Sequence, residues 1–112
     1  MQDRGSGLME IKTVIVGTKH LGIDALATLA RLEKGSAVTL EREPANRYDP
    51  SAVAVYSGEQ QIGYLPKNGY AEVVRAMDAR IEVSAEITLP AIVQGREVVR
   101  GGLPKVTVKW SE

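Results

Sequence analysis

The stretch Arg42-Glu43-Pro44-Ala45-Asn46-Arg47-Tyr48-Asp49-Pro50-Ser51-Ala52-Val53-Ala54-Val55 reads as the end of one strand, a stiff turn and the start of the next strand. Pro44 and Pro50 each fix a backbone φ and remove an amide donor, so the turn has little freedom. Asn46 and Asp49 are residue types that hydrogen-bond their own backbone and close tight turns. Inside that frame stand the ring of Tyr48, the carboxylate of Asp49 and the guanidiniums of Arg42 and Arg47. A ring stacks on a nucleobase, a carboxylate accepts a hydroxyl and a cation neutralises a phosphate. The segment is therefore the first candidate for a binding site.

Outward from this turn the pattern is mostly strand. Upstream, Val38, Leu40 and Arg42 alternate with Thr39, Glu41 and Glu43, the mark of a half-buried strand. Downstream, Ala52 to Tyr56 and Gln61 to Leu65 flank Ser57-Gly58 as a hairpin. Ile81, Val83, Ala85, Ile87 and Leu89 alternate with polar residues in the strongest strand signal of the chain. Val106, Val108 and Trp110 repeat that pattern in a closing strand, and Ile11 to Gly17 reads as the first one. Gln94-Gly95 suggests a turn beside a short strand at Val98-Val99. Two helices interrupt the strands. Ile23 to Glu33 carries Ile23, Leu26, Ala27 and Ala30 on one face, widened by Leu29 and Leu32, with Gly35 at the expected C′ position. The other helix starts at Asn68 as N-cap and presents Tyr70, Val73, Val74 and Met77 on one face. The fold class expected is mainly β within α+β: a small six-stranded barrel with two packed helices, closure removing the exposed edges.

At 112 residues the chain is expected to form one domain, residues 11–112, behind a flexible leader over residues 1–10. Hydrophobic content of 44% and charged content of 25% suit a globular core of modest size. The absence of cysteine excludes disulfides and thiolate metal sites, and a single histidine leaves no basis for structural zinc. No apolar run approaches the roughly 18 residues that span a bilayer, and the first residues lack the apolar core of a signal peptide. A cytoplasmic protein with no cofactor is expected. The 14 basic and 14 acidic residues cancel, which argues against a broad electrostatic nucleic-acid binder but leaves room for a small local site. Without a Ser/His/Asp set, a catalytic cysteine or a Gly-rich loop ending in Lys-Ser/Thr, no hydrolase or nucleotide chemistry is expected.

The pattern Arg-Glu-Pro-x-Asn-x-Tyr-Asp-x-x-Ala-hydrophobic-x-Val, followed by Ile62-Gly63-Tyr64-Leu65-Pro66-Lys67, resembles the HIRAN domain family. Val14-Ile15-Val16-Gly17-Thr18-Lys19-His20 looks like that family's opening strand, and the likeness runs from about Thr13 to Trp110. The resemblance implies a compact OB-like β-barrel that holds the 3′ end of single-stranded DNA. It implies a base-stacking role for Tyr48 and a 3′-end role for Asp49. It places Tyr64 against a base or the sugar-phosphate and Lys19 as a cation against a phosphate; Lys67, just before the Asn68 cap, is a phosphate candidate from its place beside a helix N-terminus. His20 and Lys19 stand where the best-studied family pattern has an aromatic and an arginine, so a weaker stack and a monodentate cation are implied.

Residues alone leave plainer readings open. Tyr48 covers a barrel end while Asp49 accepts backbone amides; Tyr64 is a barrel-rim core residue; His20 and Lys67 are solvated. Arg47 is a candidate phosphate contact, and Arg42 a partner for Glu41 or Glu43. Arg96, Arg100 and Gly101-Gly102 make a basic stretch able to guide a strand. The function expected is a non-catalytic module for 3′-hydroxyl ends of single-stranded DNA, linked to DNA repair, replication or mobile-element processing. Helicase, ATPase or nuclease proteins are the expected partners. A protein-interaction module of the same fold and a small-nucleotide sensor are the alternatives.

Overall fold

The computed structural model describes residues 7–67 and 70–112. Asn68, the expected helix N-cap, and residues 1–6 of the expected leader lie outside the described residues. The chain runs β1 (Leu8–Val14), a short 3-10 turn (Thr18–His20), α1 (Ile23–Arg31), β2 (Ala37–Arg42), β3 (Val53–Ser57) and β4 (Gln60–Tyr64). It continues with α2 (Ala71–Asp78), β5 (Val83–Leu89), the short pair β6 (Val93–Gln94) and β7 (Glu97–Val98), and β8 (Lys105–Ser111). The first strand begins at Leu8 rather than Ile11, because Leu8, Met9 and Glu10 pair with Ser111, Trp110 and Lys109.

Six strands form one antiparallel sheet in the order β1-β8-β5-β2-β3-β4, and β6 and β7 form a separate hairpin. The six-stranded count expected from the alternation is met. The expected barrel is not closed by a ladder. One bridge joins the chain just after β1 to the far edge of the sheet: the amides of Val16 and Tyr64 each donate to the other's carbonyl at 2.8 Å. The sheet must bend around its core for that bridge to form. Gly63 makes the approach possible. A Cβ there would lie 2.6 Å from the carbonyl oxygen of Val16, far inside ordinary contact.

The core lies in the bend. Ile15, Val53, Val55, Ile62, Ile87, Val106 and Val108 are fully buried, and Trp110 nearly so. Each such aliphatic side chain contributes about 1.5–3 kcal/mol when taken out of water. Both helices cover this core with faces that differ in part from expectation. In α1 the buried residues are Ala25, Leu26 and Leu29, while Ile23 is 57% exposed. Ala27 and Ala30 also face solvent. The helix starts at Ile23, straight after Gly22 at φ 96. It also ends at Arg31 with Leu32 already extended, so Gly35 is not its C′ residue. Gly35, at φ 92, instead turns the chain into β2 and donates its amide to Ile87 at 2.7 Å.

The second helix buries Val73 and Ala76, with Tyr70 buried at its N-cap and Val74 and Met77 half-buried. Its C-terminus is a Schellman turn: the Ile81 amide donates to Ala76 and the Arg80 amide to Met77, both at 3.0 Å. Arg80 takes the left-handed conformation, φ 64, that glycine usually fills there. None of the described helices is long and apolar enough to cross a membrane.

Candidate functional site

The loop from Glu43 to Ala52 joins β2 to β3. Its base is closed by the Glu43 amide donating to Ala52 at 3.1 Å. Asn46 then organises the tip. Its Oδ1 accepts the amides of Tyr48 at 2.9 Å and Asp49 at 3.0 Å, the Asx turn its residue type favours. Its Nδ2 donates to Glu43 Oε1 at 2.9 Å. That same carboxylate oxygen accepts the hydroxyl of Tyr64 at 2.9 Å, tying the loop to β4. Asp49 closes the descending side, accepting the Ser51 amide on Oδ1 at 3.0 Å and the Tyr70 hydroxyl on Oδ2 at 2.5 Å.

Backbone and side-chain bonds thus fix the loop and leave Tyr48 outside. Tyr48 is 89% exposed, the most exposed large hydrophobic residue among the described ones. Beside it lies a groove of about 280 Å³ bounded by Tyr48, Asp49, Tyr64, Leu65, Lys67 and Tyr70. That is just below the roughly 300–1,000 Å³ of drug-sized pockets, enough for one small planar group. Asp49 supplies the negative charge. The Tyr70 hydroxyl first, then the Ser51 amide, hold its carboxyl below the usual carboxylate range, with Lys67 and Arg42 adding to the effect. The same bond to Asp49, followed by burial, raises Tyr70 above the ordinary tyrosine value. Each carboxylate oxygen of Asp49 has one protein donor and therefore a lone pair to spare.

Four of the seven residues singled out from the sequence meet here: Tyr48, Asp49, Tyr64 and Lys67. Three do not. Lys19 lines a second groove of about 220 Å³, with Leu26, Arg96, Val98 and Leu103. Gly17, which lines the second groove, stands beside the ring of Tyr64, which lines the first. His20 and Arg47 are exposed and line neither. Arg42 does not pair with Glu41 or Glu43. Its Nε and Nη2 reach Asp78 at 3.0 and 3.4 Å, and its Nη1 donates to the carbonyls of Pro50 and Ala52. Two residues that hold the groove in place escape the sequence reading: Tyr70 lines it, and Glu43 supports it through Asn46 and Tyr64. Glu43 reads as an ordinary strand-end acid, and Tyr70 as one more core residue of a helix face. No local signal marks their contacts, which cross the chain by 21 residues. Among the described residues no group of three or more His, Cys, Asp or Glu could hold a metal ion.

The chain has relatives among known proteins. The HIRAN domain family model matches residues 8–94. This chain belongs to the HIRAN domain family. A Fanconi-associated nuclease 1 homolog from Oryza sativa subsp. japonica is 39% identical over a 67-residue alignment, which covers 55% of this chain and 6% of that protein. Two solved structures share the fold. A Lactobacillus plantarum protein superposes with a TM-score of 0.72 at 24% identity, over 95% of this chain and 99% of its own. The HIRAN domain of human HLTF gives 0.65 at 18% identity, over 96% and 82%.

Proposed function

We propose that this domain captures the 3′-hydroxyl end of single-stranded DNA and catalyses no reaction. The observation that carries the reading is the pairing of an exposed ring, Tyr48, with an ionised Asp49 that keeps acceptor capacity, across one shallow groove. The terminal base stacks on Tyr48 and meets Tyr64 across the groove. The terminal hydroxyl donates to Asp49. Lys67 neutralises the adjacent phosphate, and Lys19, beyond Gly17, takes a phosphate further along. Arg47 and His20 edge this path. Family membership supports the reading, as does the nuclease relative, in which a matching segment is a small part of a much longer protein. Association with a nuclease or helicase in DNA repair follows as part of the same proposal.

The test is a titration of labelled single strands that differ only at the 3′ end. A 3′-phosphate sets a dianion against Asp49 and removes the donor. Affinity is expected to fall about tenfold or more, the scale of a lost charge-assisted hydrogen bond. Equal affinity for hydroxyl and phosphate ends refutes the capture mechanism. A second reading, a protein-interaction module, has its own observation: Ile23 is 57%, Ile92 54% and Leu103 40% exposed, with Ile23 and Leu103 beside Lys19 and Arg96. It prevails if no strand binds even at low salt.

A further inference from the structure

We infer that Asp78, at the far end of α2, is a positioning residue for the site loop and acts through Arg42; its consequence for DNA rests on the function proposed above. The guanidinium of Arg42 sits where β2 gives way to the loop, its side chain 18% exposed. One edge of it, Nε and Nη2, engages both carboxylate oxygens of Asp78 at 3.0 and 3.4 Å. The other side, Nη1, donates to the carbonyls of Pro50 at 3.0 Å and Ala52 at 3.2 Å. These carbonyls flank Ser51, whose amide donates to Asp49. The planar fork transmits the position of Asp78 to the strand-side end of the loop, which a lysine's single charge could not do.

Asp78 is itself well placed to serve as an anchor. It is the last residue of α2, and the Schellman turn built on Arg80 and Ile81 fixes the helix end immediately behind it. The other end of the same helix holds the loop through the Tyr70 hydroxyl on Asp49. The loop is therefore tied to α2 at both helix ends, at Asp49 and at the Pro50 and Ala52 carbonyls. A plain reading makes Asp78 a solvated acid, since its side chain is 56% exposed. Against that, Pro50 and Ala52 present carbonyls to a guanidinium whose orientation, among the described residues, Asp78 alone sets from the helix side. Without the carboxylate the fork is free to swing, and the loop opens more often.

The experiment uses the full 112-residue chain and reads the loop directly. Arg47 is exposed at the loop tip, so trypsin cuts between Arg47 and Tyr48 whenever the loop opens. Asp78→Ala touches no core contact and is expected to keep the wild-type circular dichroism spectrum. Cleavage at Arg47 should rise about three- to tenfold, the range for one partly exposed ion pair plus the carbonyl bonds it orients. Cleavage after Arg31 and Arg75, on the helices, should stay at the wild-type rate. Asp78→Glu, which keeps the carboxylate, should restore part of the protection. Affinity for a 3′-hydroxyl strand should fall by no more than the cleavage factor, because binding follows the closed fraction and proteolysis the open one. Unchanged cleavage at Arg47 in Asp78→Ala overturns the inference. Increased cleavage in a protein that binds no strand in either form upholds the tether and removes the proposed function instead.

Discussion

Gly63→Ala tests the closure of the sheet, on which the groove depends. A Cβ at position 63 would fall 2.5 Å from Cγ2 of Ile15, 2.6 Å from the carbonyl oxygen of Val16 and 3.3 Å from Oγ1 of Thr18. Ile15 is fully buried, and the Val16 oxygen accepts the Tyr64 amide in the bridge that joins the sheet edges. Neither neighbour is the loose end of a flexible side chain. The Val16 oxygen falls about 0.8 Å short of the 3.4 Å at which ordinary contact begins, so the backbone itself must move. Overpacking of this kind costs typically about 1–3 kcal/mol, and a rigid backbone neighbour places Gly63→Ala at about 2–3 kcal/mol. For a domain of this size each kcal/mol is worth about 4 °C or more in Tm, so thermal unfolding should shift down by about 8–12 °C. Gly58→Ala is the control. Gly58 also has positive φ, 60, but open space around it, so it should lose only the left-handed strain of about 1–2 kcal/mol. If Gly63→Ala melts no lower than wild type, or no lower than Gly58→Ala, the close approach of β4 to Val16 is not what closes the sheet.

Two further outcomes follow from the site. Tyr48→Ala should leave Tm unchanged, because the residue is 89% exposed, and should weaken strand binding by about 1–3 kcal/mol, the worth of one base stack; unfolding of that variant, seen by circular dichroism, would make Tyr48 structural. Acid should loosen the loop. Asp49 titrates below its usual 3.8, so between the folded and unfolded values the unfolded chain binds more protons and stability rises with pH. This contribution is present above the unfolded value and disappears as pH falls through the folded one. Tyr70→Phe removes its main cause, so the stability gap between wild type and Tyr70→Phe, followed by urea titration, should close on acidification to about pH 2. It should close again in strong alkali, above the raised tyrosine value, where the donor proton is lost. A gap that stays constant across that range refutes the assigned bond.

Residue order alone carries what is local and periodic. The alternation at Ile81 to Leu89 and at Val106 to Trp110 marked β5 and β8 because a strand has only two faces. Pro44, Asn46 and Pro50 marked a stiff loop because their turn chemistry acts over two or three residues. The motif around Tyr48 and Ile62 to Lys67 led to the family, and Tyr48, Asp49, Tyr64 and Lys67 do share a groove. Tertiary structure alone decided who holds that groove together. Tyr70 and Asp49 lie 21 residues apart and Arg42 and Asp78 lie 36 apart, and nothing in the spacing selects either pair. The same limit governs α1, whose Leu26 and Leu29 are buried as their spacing suggests while Ile23 is exposed and Ala25 buried: a helix's period is written in its residues, but its rotation is set by the core it packs on. It also governs Lys19, which sits across Gly17 from the main groove, since only the bend of the sheet determines which ends of distant strands become neighbours.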